Sequence, residues 1–146
     1  MTKRSYPLLI AVLLLSMGPG ITFAQVQARI RIIEASSTGG AVDPVLKDVH
    51  DQMGSLFNFT SYRLLKDFKV SLAGNRPVEL PVHPGRALEV TLIGEYKKLI
   101  ELRIRVKREG AQILNTHVRL NSGRTILIGG PKHGAGTIIF AISSRF

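Results

Sequence analysis

Hydrophobic and polar positions alternate most regularly over residues 99–130, LIELRIRVKREGAQILNTHVRLNSGRTILIGG. Ile100, Leu102, Ile104 and Val106 share one parity while Glu101, Arg103 and Arg105 share the other, the period-two pattern of a half-buried strand. The stretch predicts three consecutive antiparallel strands joined by two short turns. A loop over Glu109-Gly110-Ala111 sets Val106 opposite Leu114, Ile104 opposite Thr116, Leu102 opposite Val118 and Ile100 opposite Leu120, with Glu101 against Arg119. A slip of one residue would set apolar side chains against polar ones, so the pattern selects its own register. The second turn, Asn121-Ser122-Gly123, reads as a three-residue hairpin loop in which glycine supplies the positive φ.

Toward the N-terminus the same period recurs before a helical one replaces it. Val26, Ala28, Ile30 and Ile32 alternate with Gln27, Arg29 and Arg31, predicting a strand up to Glu34 with one apolar and one basic face. Residues 36–40, SSTGG, form a loop. Asp43 and Pro44 then announce a single early amphipathic helix, since aspartate caps well and proline at the first helical position sacrifices no hydrogen bond. Val45, Leu46, Val49, Met53 and Leu56 fall in one stripe at 3.6 residues per turn. Gly54 costs this helix about 1 kcal/mol, yet the stripe extends it to Phe57 with Asn58 as the cap. Such a stripe packs on a sheet.

Residues 60–72 read as one long strand or two short ones, with Tyr62, Leu64, Phe68, Val70 and Leu72 as candidates for burial. Residues 74–77 form a turn. Residues 78–82 contain Pro81, which cannot donate to a ladder, and so make an edge strand or an extended loop. After a turn at Pro84-Gly85, Leu88, Val90 and Leu92 alternate in a strand that ends at Gly94. Residues 125–128 and 137–142 are apolar on both faces, as buried middle strands are. Eight or so short strands with one helix predict a mainly β fold, either β-sandwich-like or an open antiparallel α+β arrangement.

Composition narrows the class. A chain of 146 residues with 45% apolar side chains is sized for one domain with a buried core. The absence of cysteine removes disulfides, thiolate metal sites, a cysteine nucleophile and a lipid-anchored N-terminal cysteine. Lys3 and Arg4 precede an apolar run at 7–17 that is too short to span a bilayer, and Gly18-Pro19-Gly20 breaks it. Thr22-Phe23-Ala24 then offers small residues at the positions a signal peptidase reads. Residues 1–24 are thus expected to be a signal peptide and 25–146 a single β-rich domain, with no stable membrane span after cleavage. Of the 20 lysines and arginines, Lys3 and Arg4 leave with the leader; the remaining 18 against 10 acids give +8, a charge suited to anionic partners.

Candidate chemistry is sparse. Residues 129–137, GGPKHGAGT, invite comparison with a phosphate-binding loop, but that loop needs lysine directly after its final glycine and then a helix, whereas Thr137 opens a strand. The segment reads as a hinge or a hairpin loop whose tip residues, Lys132 and His133, can touch an anion. His50, His83, His117 and His133 lie on four different elements without the close spacing of a zinc site. No serine stands in a nucleophile-elbow sequence, and no acid/base pair is readable. Neither an enzyme nor a cofactor is expected. Asn58-Phe59-Thr60 matches a glycosylation acceptor, relevant only to a eukaryotic secretory route.

Residues 118–130, VRLNSGRTILIGG, resemble the strand-turn-strand near the end of the gate domain of bacterial secretins, outer-membrane channels of secretion and pilus systems. Glycine then threonine and an isoleucine-glycine-glycine ending carry the resemblance. Pro131 departs from the leucine of that pattern, and 146 residues do not hold ring-forming domains and a gated barrel, so no pore function is implied. Viewed whole, the chain is similar to small exported Gram-negative proteins of unassigned activity, which implies the periplasm or cell surface. Two functions follow: a non-enzymatic envelope module that binds another envelope or secretion-system protein by adding a strand to a sheet edge, or a module binding an anionic polymer such as lipopolysaccharide, acidic polysaccharide or extracellular DNA through a basic sheet face. The candidate partner-binding residues are Arg103, Arg105, His117 and Arg119 on the outward face of the central hairpin, with Lys132 and His133 at the glycine loop.

Overall fold

The computed structural model describes residues 25–83 and 85–146, and the expected signal peptide lies outside the described residues. Among the described residues eight strands follow one another: β1 (Val26–Ser36), β2 (Ser61–Leu72), β3 (Val78–His83), β4 (Arg86–Tyr96), β5 (Leu99–Arg108), β6 (Ala111–Asn121), β7 (Thr125–His133) and β8 (Gly136–Ser144). Between β1 and β2 stand a 3₁₀ turn (Pro44–Leu46) and the helix α1 (His50–Leu56). The strands pair antiparallel in two four-stranded sheets, in the orders β2-β1-β8-β7 and β3-β4-β5-β6. The fold is mainly β and sandwich-like. One face of each sheet supplies the main core, where Ile30, Ile32, Phe140 and Ile142 of the first sheet meet Leu88, Val90, Leu102 and Ile104 of the second.

The central hairpin adopts the register that its pattern selects, from Ile100 opposite Leu120 to Val106 opposite Leu114. Its loop differs by one residue. The turn is only Glu109-Gly110, both at positive φ (50° and 80°), and the extra residue is absorbed as a bulge at Ile113. Two residues at positive φ match the twist of the flanking strands, which a longer flat loop does not. β2 is one long strand, with its irregularity at Leu65, and β3 is an edge strand as Pro81 requires. β4 runs beyond Gly94 to Tyr96 after a bulge at Ile93.

Four expectations are corrected. Asn121-Ser122-Gly123 is no hairpin loop, because β6 ends the second sheet and β7 edges the first. Ser122 N–H donates to Lys98 O (3.0 Å) and Gly123 N–H to Ser144 O (2.8 Å), so the segment is tied to both sheets as it crosses between them. β7 is consequently an edge rather than a middle strand, while β8 lies in the interior of its sheet between β1 and β7.

The face of β1 read as basic is polar only at Gln27 and Arg29; Arg31, Ile33 and Ala35 are buried. A second core explains this, since Leu46, Val49 and Met53 pack on Ile33, Ala35, Ile139 and Ala141 on the outer face of the first sheet.

The helix is also shorter than its stripe. It breaks after the 3₁₀ turn, resumes at His50 and ends with Phe57 extended (φ −129°, ψ 140°), so Asn58 caps nothing. Asp43 does accept from Val45 N–H at 3.2 Å. The break rotates Val45 and Leu56 outward to 55% and 61% exposure, leaving Leu46, Val49 and Met53 as the buried stripe.

Candidate functional site

The register of β4, β5 and β6 draws three lines across the outward face of the second sheet: Glu89-Arg105-Asn115, then Thr91-Arg103-His117, then Gly94-Glu101-Arg119. Arg103, Arg105, His117 and Arg119 therefore do share one surface. Their commitments differ. Glu89 is only 8% exposed although it faces outward, and it holds two cations, Lys107 Nζ at 2.9 Å and Arg105 Nη1 at 3.5 Å. The hydrogen bond to Glu89 holds the Lys107 ammonium above the usual lysine range. Arg105 is thus part of a charge cluster rather than a free anchor, because a carboxylate one strand away reaches it first. Sequence reasoning missed Glu89, since the β4–β5 register had not been drawn.

Arg103 Nε donates to His117 Nε2 at 3.3 Å. His117 must then carry its ring proton on Nδ1. Glu101 and Arg119 stand opposite each other as expected, but no ion pair joins them among the described residues; the Glu101 side chain lies along Gly94 at the β4 bulge. Arg119 and His117 are exposed, and Arg119 is the accessible cation of the row. Lys132 and His133 belong to the other sheet. His133 Nε2 lies 3.1 Å from Glu34, which also receives Arg63 Nη2 at 3.1 Å, and the Lys132 carbonyl accepts from Arg86 Nη1 at 2.9 Å. These contacts tie the β7–β8 hairpin to β1 and β4, so the six candidates form two groups rather than one site.

The four sheet edges are not equivalent. β3 carries Pro81, and β7 carries Pro131 inside an irregularity between Gly129 and Lys132. β2 carries Lys66, Asp67 and Lys69, and Lys66 Nζ reaches across to Pro81 O of β3 at 3.1 Å. These are the devices by which edges resist pairing with another chain. β6 has eleven residues, no proline, no lysine and no irregularity after Ile113. Ile113 is 46% exposed, and Leu114 and Val118 only half-bury against the core.

The first sheet holds two further ion pairs. Arg29 makes a forked contact with Asp67 (Nη2–Oδ2 2.6 Å), and Arg31 meets Asp48 through Nη1–Oδ1 at 2.8 Å and Nη2–Oδ2 at 2.9 Å. Each arginine holds its aspartate below the usual carboxylate range, chiefly by hydrogen bonding. Arg31 is 1% exposed and its Nε–H has no partner among the described residues, an omission that costs about 1–3 kcal/mol in a buried donor. Among the described residues no group of three His, Cys, Asp or Glu stands close enough to hold a metal ion. No helix among them is long and apolar enough to cross a membrane. Compared with known proteins, the chain matches no family model, no curated sequence and no solved structure.

Proposed function

We propose that this chain is an exported, non-enzymatic module of the Gram-negative cell envelope, in the periplasm or at the cell surface, that binds an extended segment of another envelope or secretion-system protein by adding it as a strand to β6. One observation carries the reading: β6 is the edge with neither proline nor lysine, and it runs without irregularity from Leu114 to Asn121, whereas β3 and β7 carry proline and β2 carries lysines. An added strand would satisfy its outward backbone groups and cover the half-exposed Leu114 and Val118. The signal-peptide pattern of residues 1–24 supports export.

A photoreactive residue at Asn115, set against one at Asp67 on β2, tests this in intact envelope. A discrete adduct from position 115 alone is expected, surviving raised salt and lost in Thr116→Lys, which puts an inward-pointing charge on the edge. Equal adducts from both positions, or an adduct indifferent to Thr116→Lys, would overturn it.

Exposed Arg119 and His117 favour a second reading, the binding of an anionic polymer along the outward face. Salt separates the two, because phosphate contacts weaken steeply with ionic strength and apolar strand addition does not.

A further inference from the structure

Helical cover protects only half of the outer face of the first sheet. Where the 3₁₀ turn and α1 stop, a single line of residues crosses all four strands, Lys69 opposite Arg29, Arg29 opposite Ser143 and Ser143 opposite Thr125. With strands about 4.8 Å apart, this floor is about 14 Å wide. Asp48, held down by Arg31, forms one wall, and the chain beyond β8 brings Arg145 to the other. The cleft between them is about 630 Å³, within the range of small-molecule sites and far larger than one phosphate group.

Its lining is mixed in a definite way. Four cations, Arg29, Arg31, Lys69 and Arg145, stand against one carboxylate of the lining, Asp48, while Arg29 is paired with Asp67 outside it. Asp48 is committed to Arg31. Lys69 and Arg145 make no ion pair among the described residues, and the Ser143 and Thr125 side-chain hydroxyls make no hydrogen bond there. A built element lies beneath them, the buried Arg31, whose Nε–H is unpartnered. A simple anion would use the cations and leave the carboxylate and hydroxyl oxygens idle. A polyol bearing a phosphate uses both sets, with the dianion against Lys69 and Arg145 and its hydroxyls donating to the Asp48 oxygens and to the Ser143 and Thr125 hydroxyls.

From this juxtaposition we infer that the cleft is a binding site for a phosphorylated sugar. It is independent of the β6 edge, on the other sheet.

Calorimetric titration of the purified protein with glucose 6-phosphate, inorganic phosphate and glucose, at fixed ionic strength, tests it. The sugar phosphate should bind at least tenfold more tightly than either fragment. Lys69→Gln with Arg145→Gln should weaken it a further tenfold or more with an unchanged melting temperature, while Arg119→Gln on the opposite sheet should leave it as it was. Should the double variant melt early, Lys69→Gln alone serves, with a loss of threefold or more expected. No binding overturns the proposal. Equal affinity for phosphate and sugar phosphate, or binding indifferent to Lys69 and Arg145, would mean an adventitious ion only and overturns it as well.

Discussion

Arg31 and Asp48 are joined by two parallel hydrogen bonds of 2.8 and 2.9 Å, one partner 1% exposed and the other, by its side chain, 55%. The buried member belongs to the sheet and the exposed one to the turn that breaks the helix, so the pair fastens the cover of the second core to β1. Removing only Asp48 strands a buried guanidinium. Asp48→Ala should cost about 1–3 kcal/mol, and adding Arg31→Met should recover much of the loss, since an apolar replacement needs no counterion. Denaturant midpoints of the two variants decide it, and an Asp48→Ala midpoint equal to the parent's would show that the pair holds nothing.

Acid should act through the same groups. Asp48 and Asp67 titrate below the ordinary aspartate value because arginines hydrogen-bond to their charged forms. Their folded values are depressed, so their contribution is fully present above an unfolded value of about 3.9 and disappears as pH falls through the folded ones. Stability should be level from pH 7 to about 5 on this account and decline below about 4. Asp48→Asn with Asp67→Asn should flatten that decline; an unchanged acid slope would assign it to other carboxylates.

Two glycines should fail for different reasons. At Gly123 (φ 81°) nothing lies within 4 Å of an added Cβ, so Gly123→Val should cost about 1–2 kcal/mol through backbone strain alone. At Gly136 the backbone is ordinary, but an added Cβ would fall on the carbonyl oxygen of Ala35 in the neighbouring strand. Gly136→Ala, the smaller change, should therefore cost more, about 3 kcal/mol or above. Thermal melts that rank the two the other way would contradict both accounts.

On the second sheet, Arg103→Ser with Arg119→Ser should shift stability by under about 0.5 kcal/mol, because both side chains reach toward solvent. Glu89→Ala should cost about 1–2 kcal/mol and return Lys107 to the ordinary lysine range, which its side-chain NMR titration reports. A Lys107 titration unaffected by Glu89→Ala would dissolve the cluster.

What the sequence disclosed depended on range. The β5–β6 register was legible because four alternate inward pairings, from Ile100–Leu120 to Val106–Leu114, follow from parity and a nearby glycine turn, and Pro81 announced an edge without any knowledge of neighbours. Parity says nothing about which sheet a strand joins, so the crossing at Gly123 looked like a hairpin although its conformational requirement was read correctly. Arg31 could not be read as buried, because its partner lies 17 positions away on a segment whose helical pattern pointed elsewhere. The candidate row suffered likewise: Arg103 and His117 meet within one hairpin, whereas Glu89 reaches Arg105 from a strand whose alignment no local pattern fixes.

The pairing of β1 with β8 has a consequence for how the molecule comes into being. These strands are the first and last of the eight, matched from Ala28 opposite Ser144 to Ala35 opposite Thr137, and both lie in the interior of their sheet. A chain delivered from its N-terminus, by a ribosome or through a translocation pore, can assemble β3 to β6 as local hairpins while β1 waits beside β2 with one edge bare. The first sheet closes only when the final residues arrive, as long-range strand pairings of this kind are slow to form. Until then β1 offers an open edge in mid-sheet, and the arrival of β8 is what seals it.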